Sequence, residues 1–524
     1  MKHSRLLPVP LFAWLVVRTA WISDDAYITF RSIENLIHGY GPVFNVGERV
    51  QTFSHPLWFL LQALANIVIG WWADNPFGTG QLYFVNVLLS IALSLIAILV
   101  LCLRVAVDTR GAVLGVLILG LSKAFVDYST SGLENPLTHL LIFCFLALFL
   151  TETPRTAYRY FGLALLAGLT GFNRLDVLLL LLPALVLRLR ESPHKLQTLG
   201  AMLLGLAPLM AWEAFSVFYY GSPFPNTALA KLNTGIDALQ LLTQGAYYYL
   251  NSLRLDPITL LTIGAALLWS MSRRDASQRV MALGIVLYLA YVLWIGGDFM
   301  SGRCFAAPLA VGVALVARTA FTSPRVYGRA LALVLILGLA PILLVSQRSP
   351  GFGDATRRLY VFVDAHGISD ERRFYFEQMG FLKSLAHGAP AGYASADWIY
   401  HPQRPARVEL VGTLGISGFR YGPDVHVIDR NALADPLLPR MPLQDPHHWR
   451  IGHFRHVIPD GYIETLQLGR NLIKDPSIAL YYDKLHFVTS GDLWDTARIA
   501  EIWNLNTGKY DHLLQNLQPG GAPW

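Results

Sequence analysis

The sequence predicts an α-helical polytopic membrane protein with a soluble α/β domain at its C-terminal end. Three observations carry this. The 524 residues are 54% hydrophobic and only 15% charged, with a mean hydropathy of +0.42; a soluble domain carries about 25% charged residues. Apolar runs long enough for a bilayer recur from the N-terminus to about residue 344, after which charge, Pro, Gly and His return to soluble frequencies. Lys and Arg collect in short loops at 104–110, 155–159, 188–195, 273–279 and 318–329, which the positive-inside rule puts in the cytoplasm.

The segments expected to cross are 6–22, 81–103, 111–126, 133–151, 158–172, 176–188, 198–219, 257–271, 279–296, 302–317 and 327–346, about eleven in all. Segment 6–22 follows Lys2 and Arg5 but has no small-residue cleavage site before the acids, so it reads as an uncleaved helix. Within 27–38, Phe30, Ile33, Leu36 and Ile37 share one helical face, the pattern of a helix lying in the interface. Segment 55–72 is expected to lie in the interface or re-enter without a net crossing. Parity then sets every polar motif outside, together with the tail. In that tail, 370–385 reads as an amphipathic helix, and 425–428 and 485–488 read as strands. The expected domain limits are 1–346 for the membrane module and 347–524 for an extracytoplasmic domain able to bury its own core.

The formal charge of +6 sits in loops between apolar runs, so it speaks for topology and not for nucleic acid. Cys102, Cys144 and Cys304 lie in or beside apolar segments and give neither a disulfide framework nor zinc spacing. His447, His448, His453 and His456 lack a helical pair and a cysteine, so they read as surface or core histidines. Gly412-x-x-Gly415-x-x-Gly418 lacks the Gly-x-Gly start of a dinucleotide loop.

The polar motifs carry the chemistry. Asp24-Asp25 directly follow the first apolar run. Charge is costly in hydrocarbon, so the pair must sit at the water boundary or line a polar cavity, where it can take a proton from an acceptor or hold a cation. Its structural reading is a stop signal at a helix exit. Ser131-Gly132-Leu133-Glu134 sets an acid at a helix start, where capping alone explains it. Asn173-Arg174-Leu175-Asp176 reads equally as an ion pair. Pro225-Asn226-Thr227 leads to Lys231, and Gly296-Gly297-Asp298 leads to Arg303. An anionic phosphate at a membrane surface needs such cations, Lys as a point charge and Arg as a fork.

The string Ser23-Asp24-Asp25-Ala26-Tyr27-Ile28-Thr29-Phe30-Arg31, with Gly39-Tyr40-Gly41-Pro42-Val43-Phe44-Asn45, Gly47-Glu48-Arg49-Val50 and Leu57-Trp58, resembles the first external loop of GT-C fold glycosyltransferases. The likeness is strongest to the mycobacterial terminal β-(1→2) arabinofuranosyltransferases and their bacterial relatives. It continues through the Glu134, Asn226, Lys231, Asp298 and Arg303 motifs into the tail at Val427-Ile428-Asp429 and Arg450-Ile451-Gly452-His453. One departure is Thr52-Phe53-Ser54-His55-Pro56, in the loop that shapes the acceptor side. The resemblance implies an inverting transferase in the bacterial inner membrane. It would use a polyprenyl-phosphate-linked sugar, arabinofuranose, mannose or aminoarabinose, and a glycan or a surface protein such as a pilin as acceptor. Asp24 or Asp25 is the expected base. Lys231 and Arg303 are expected on the donor phosphate, with Arg31 and Arg174 in reserve. Tyr27, Asn45, Glu48, His55, Glu134, Asn226 and Asp298 are expected around the substrates. A divalent metal is left open, since two adjacent acids are too few ligands to argue one. Rival readings are a flippase for lipid-linked sugars and a non-catalytic scaffold; against the flippase, the halves show no inverted repeat.

Overall fold

The computed structural model describes residues 3–73, 80–151, 156–344, 362–390, 398–403 and 407–515. Arg155 of the cationic loops and the expected 346/347 boundary lie outside them. The chain forms two compact units that alternate along the sequence. One comprises Met1–Ser23, Gly80–Leu209 and Ala238–Tyr393; the other comprises Asp24–Thr79, Met210–Asp237 and Ala394–Trp524. The tail beyond 394 thus shares a unit with the first loop, and 362–390 shares one with the apolar helices.

The first unit is helical. Each of the eleven segments expected to cross falls on a helix; 111–126 falls on two, Thr109–Leu121 and Lys123–Asp127, as does 198–219, on Lys195–Gly205 and on Ala207–Tyr220, whose residues from Met210 onward belong to the second unit. Length separates them. Among the described residues, Gln81–Val105 and Ala276–Trp294 alone are long and apolar enough to cross, or up to four spans if each of two bent helix pairs counts as one. One such pair, Ala238–Leu255 with Pro257–Ser272, bends by 108°. Thr109–Leu121 and Asn135–Phe149 are apolar but hold 13 and 15 residues, roughly 20 Å of rise against a core of about 30 Å. Asn135–Phe149 packs on Gln81–Val100 and Ala157–Asn173, and Ala306–Ala317 packs on Thr109–Leu121 and Pro257–Ser272. Small residues let these backbones close up: a Cβ on Gly111 would stand 2.4 Å from the Ala317 carbonyl oxygen.

The second unit holds the sheet. Strands β1 (Arg407–Val411) and β2 (Val425–Asp429) pair in parallel, with Arg407 opposite Val425 and Val411 opposite Asp429. Val425, Val427, Val411, Leu414 and Ala434 bury one side against Ile28 and Phe44 of the first loop. Ile428, Leu437, Leu438 and Met441 join Tyr462, Tyr481, Tyr482 and Leu485 in a second core.

Two local expectations change. The stretch 485–488 belongs to helix Pro476–Ser490, and not to a strand. Asp475 caps that helix by accepting from Ser477 and Ile478, Pro476 takes its first turn, and buried Ile478, Tyr481, Tyr482, Leu485 and Val488 recur at helical spacing. The first loop's helix, Asp24–Ile37, is buried on nearly all sides, including Arg31, Ser32 and Asn35, and does not present one face to an interface. The expected helix over 370–385 forms as Glu371–Met379 and Phe381–His387, broken at Gly380.

Candidate functional site

Chemistry-bearing side chains gather in one cluster per unit. In the first unit, Glu134 stands just before helix Asn135–Phe149, Arg174 just after Ala157–Asn173, and Arg303 just after Gly302, whose φ is +75°. Glu134 is fully buried. Its Oε1 lies 2.6 Å from Arg174 Nη1, and Arg303 Nη2 donates to both its oxygens at 3.1 Å. Arg174 Nε reaches Asp176 Oδ1 at 2.8 Å, and Arg303 Nη1 lies 3.6 Å from Asp298 Oδ2. Three carboxylates therefore face two guanidiniums, a formal charge of −1. Both arginines have their charge matched within the unit, as a buried ion network requires.

A neighbouring network escaped the sequence reading. Lys123 bridges Asp127 and, at 2.9 Å, Asp370, while Arg372 Nε lies 2.6 Å from Asp127 Oδ1. The i,i+4 spacing of Lys123 and Asp127 was the available signal.

In the second unit, Asp24 and Asp25 open helix Asp24–Ile37, both partly buried. Asp24 is tied to the tail: Oδ1 accepts from the Ile416 amide at 2.9 Å and Oδ2 from the Gly415 amide at 3.1 Å. Burial pushes its carboxyl up to about 6, the charge of Asp25 adds to the rise, and the two amides pull back. Arg31 is spent on structure. Nε donates to the Phe44 carbonyl at 2.7 Å, Nη2 to that of Val425 at 2.7 Å, and Nη1 to that of Gly418. Asn45 acts as a strand neighbour: it accepts from the Val427 amide and donates to the Val427 carbonyl, both at 3.0 Å. Asn226 donates to the carbonyls of Ala432, Leu433 and Asp435 at 2.9, 3.1 and 2.9 Å. Tyr27 packs edge-on to Phe30 and Phe419, and His55 Nε2 meets Thr29 Oγ1 at 2.9 Å.

Glu48 is buried beside the sheet. Its Oε2 makes no hydrogen bond among the described residues and lies 3.9 Å from His426 Nε2. Burial and the nearby Asp435 push its carboxyl well above the usual range, and burial pulls the His426 imidazole down to about 4, so that imidazole is neutral near pH 7. Asp435 accepts from Leu437, Leu438 and the Tyr462 hydroxyl, and burial still lifts it to about 6. Lys231 sits partly buried in the last turn of Asn226–Leu232. Among the described residues no group of three or more His, Cys, Asp or Glu is arranged to hold a metal ion.

No family model matches the chain. It is 29% identical to the terminal β-(1→2)-arabinofuranosyltransferase of Mycobacterium tuberculosis over 86% of this chain and 83% of that protein. To the enzyme of the same name from Corynebacterium glutamicum it is 28% identical, over 58% of this chain and 48% of that protein. Among solved structures it is similar to the Archaeoglobus fulgidus oligosaccharyltransferase in the apo form, at 14% identity and a TM-score of 0.43. The same archaeal enzyme in complex with an inhibitory peptide and a dolichol-phosphate gives 13% and 0.43. The chain spans 64% of the length of these structures, and a likeness this loose carries no argument about fold or chemistry.

Proposed function

From the premise that the chain is a glycosyltransferase related to the terminal arabinofuranosyltransferases, we propose that it moves D-arabinofuranose, with inversion, from a polyprenyl-phosphate donor to an extracytoplasmic glycan. The fold proposed is GT-C, in a bacterial inner membrane. The observation that carries this is kinship across 86% of the chain and 83% of the relative, which covers both units.

Inverting transfer needs one base on the acceptor hydroxyl and a stabilised leaving phosphate. Asp24 is committed to two backbone amides. Asp25, next to it in the same first turn, is assigned the base: it takes the proton of the acceptor hydroxyl as that oxygen attacks the anomeric carbon. The bond to the donor phosphate breaks, and charge grows on the phosphate. Lys231, in the last turn of Asn226–Leu232, is assigned to that charge. A fixed cation gains most at the transition state.

The test is purified protein in nanodiscs with polyprenyl-phosphate arabinofuranose and an arabinan oligosaccharide. Arabinosylated product is expected; movement of the lipid across the bilayer without product would mark a flippase and end the transferase reading. Lys231→Ala is expected to lower turnover by about tenfold or more while leaving the fold intact.

A further inference from the structure

One pocket of the second unit is built from the first loop, the 210–237 stretch and the tail. Arg49, Gln51, Asn226 and Arg440 line it, with Tyr220 and Leu485 among its apolar walls. Its neutral amides are largely committed, Asn506 to the carbonyls of Gly221 and Ile502. Asn226 serves three carbonyls; Gln51 Nε2 donates to the Phe53 carbonyl at 3.1 Å, and its Oε1 accepts from Ser216 Oγ at 2.8 Å. The guanidiniums are not fully committed. Arg49 uses only Nη2, on the carbonyls of Val488 at 3.3 Å and Gly491, and lies over the Tyr219 ring; its Nη1 makes no hydrogen bond among the described residues. Arg440 uses only Nη1, on the Pro436 carbonyl. Neither Asp nor Glu is among the described residues of the wall. Asp435 acts electrostatically on Arg440 and Asp492 on Arg49, but the Asp435 oxygens are already held by Leu437, Leu438 and Tyr462.

The pocket's uncommitted hydrogen-bonding capacity is therefore cationic. A neutral sugar would find little to pair with there, whereas a tetrahedral oxyanion would meet two forks with donors to give. We propose that this pocket binds a phosphate-type oxyanion between Arg49 and Arg440, carried either by a soluble phosphoester such as a phosphorylated saccharide or by a phospholipid headgroup. Neither Asp25 nor Lys231 lines the pocket. The site is separate from the groups assigned to transfer, and its failure would leave that assignment standing.

The experiment uses the full chain in dodecyl maltoside, a detergent without phosphate, titrated calorimetrically with glycerol 1-phosphate. A second arm compares thermal unfolding in that detergent with and without added phosphatidylglycerol. In the first arm, Arg440→Gln is expected to weaken binding by about tenfold or more, and Arg49→Lys, which keeps charge but loses the fork, by severalfold. If glycerol 1-phosphate does not bind but phosphatidylglycerol raises the unfolding midpoint of the wild type and not of Arg440→Gln, the headgroup is the source. Arg49 also braces Val488 and Gly491, so each variant's unfolding midpoint is first taken without phosphate. Arg440→Lys replaces any that is destabilised. A wild type that responds to neither probe, or a response unchanged in the folded Arg440 variants, would overturn the site.

Discussion

Replacing Asp24 by Asn would set an N–H₂ against one of the two backbone amides that the carboxylate now satisfies. The loss expected is structural, about 1–3 kcal/mol, seen as a lower unfolding midpoint. Asp25→Asn makes the contrasting prediction: turnover down about 100-fold in protein that still folds, typical of a missing general base. Equal turnover in Asp25→Asn and wild type would remove Asp25 from the chemistry. Glu48 offers a third residue-scale test. Burial and Asp435 raise its carboxyl and so favour the protonated form; Glu48→Gln, a neutral isostere, should therefore change stability by no more than about 0.5 kcal/mol. A loss of several kcal/mol would mean that the buried group is ionised.

At the scale of elements, the tail meets the first loop through glycine. A Cβ on Gly415 would stand 2.0 Å from the Asp24 carbonyl oxygen and 2.5 Å from its Oδ2, and one on Gly418 would stand 2.7 Å from the Phe44 ring. Gly415→Ala should therefore cost about 1–3 kcal/mol or more by overpacking, with the Asp24 contacts broken; an unchanged unfolding midpoint would show that the approach is looser. The spacing of Gly415 and Gly418 was visible in the sequence, but its purpose was not, because the atoms these glycines accommodate belong to Asp24 and Phe44, far back in the first loop. The same limit governs the site. Apolar periodicity located the long helices, and motif composition found Glu134, Arg174, Asp298 and Arg303, which the fold brings together. Which groups a cation's donors meet depends on distant carbonyls, and local pattern is silent on that: Arg31, held in reserve for the phosphate, donates to the carbonyls of Gly418 and Val425. The 485–488 run read as a strand because four apolar-rich residues do not fix a period; the cap at Asp475 does.

For the molecule as a whole, pH acts through opposed groups in the second unit. Asp435 and Asp429 are fully buried and held at about 6, above their unfolded range, so each contributes stability that is greatest below about pH 4 and is lost as pH rises through 6. Burial lowers His426, His456 and His486, which lose stability as pH falls below about 6.5. The two trends offset between pH 5 and 7. Asp435→Asn should unbalance them: the wild type's advantage over the variant should grow by about 1 kcal/mol on going from pH 7 to pH 5, read by thermal unfolding. A constant or shrinking advantage would mean that Asp435 titrates as an ordinary carboxyl. The proposed topology has its own test, a reporter fused after Trp524 that works only outside the cytoplasm; activity of a cytoplasm-only reporter would reverse the sidedness of the site. The interleaving of the second unit also sets an order of events in the making of the protein. Arg31 leaves the ribosome 387 residues ahead of Gly418, whose carbonyl it must meet. At roughly 5–20 residues per second, the newborn first loop waits about 20–80 s for its partners. During that interval its guanidinium and its acids have no tail to hold, so a transcript cut short before Gly415 yields a chain that can anchor but cannot mature, and membrane proteases should clear it.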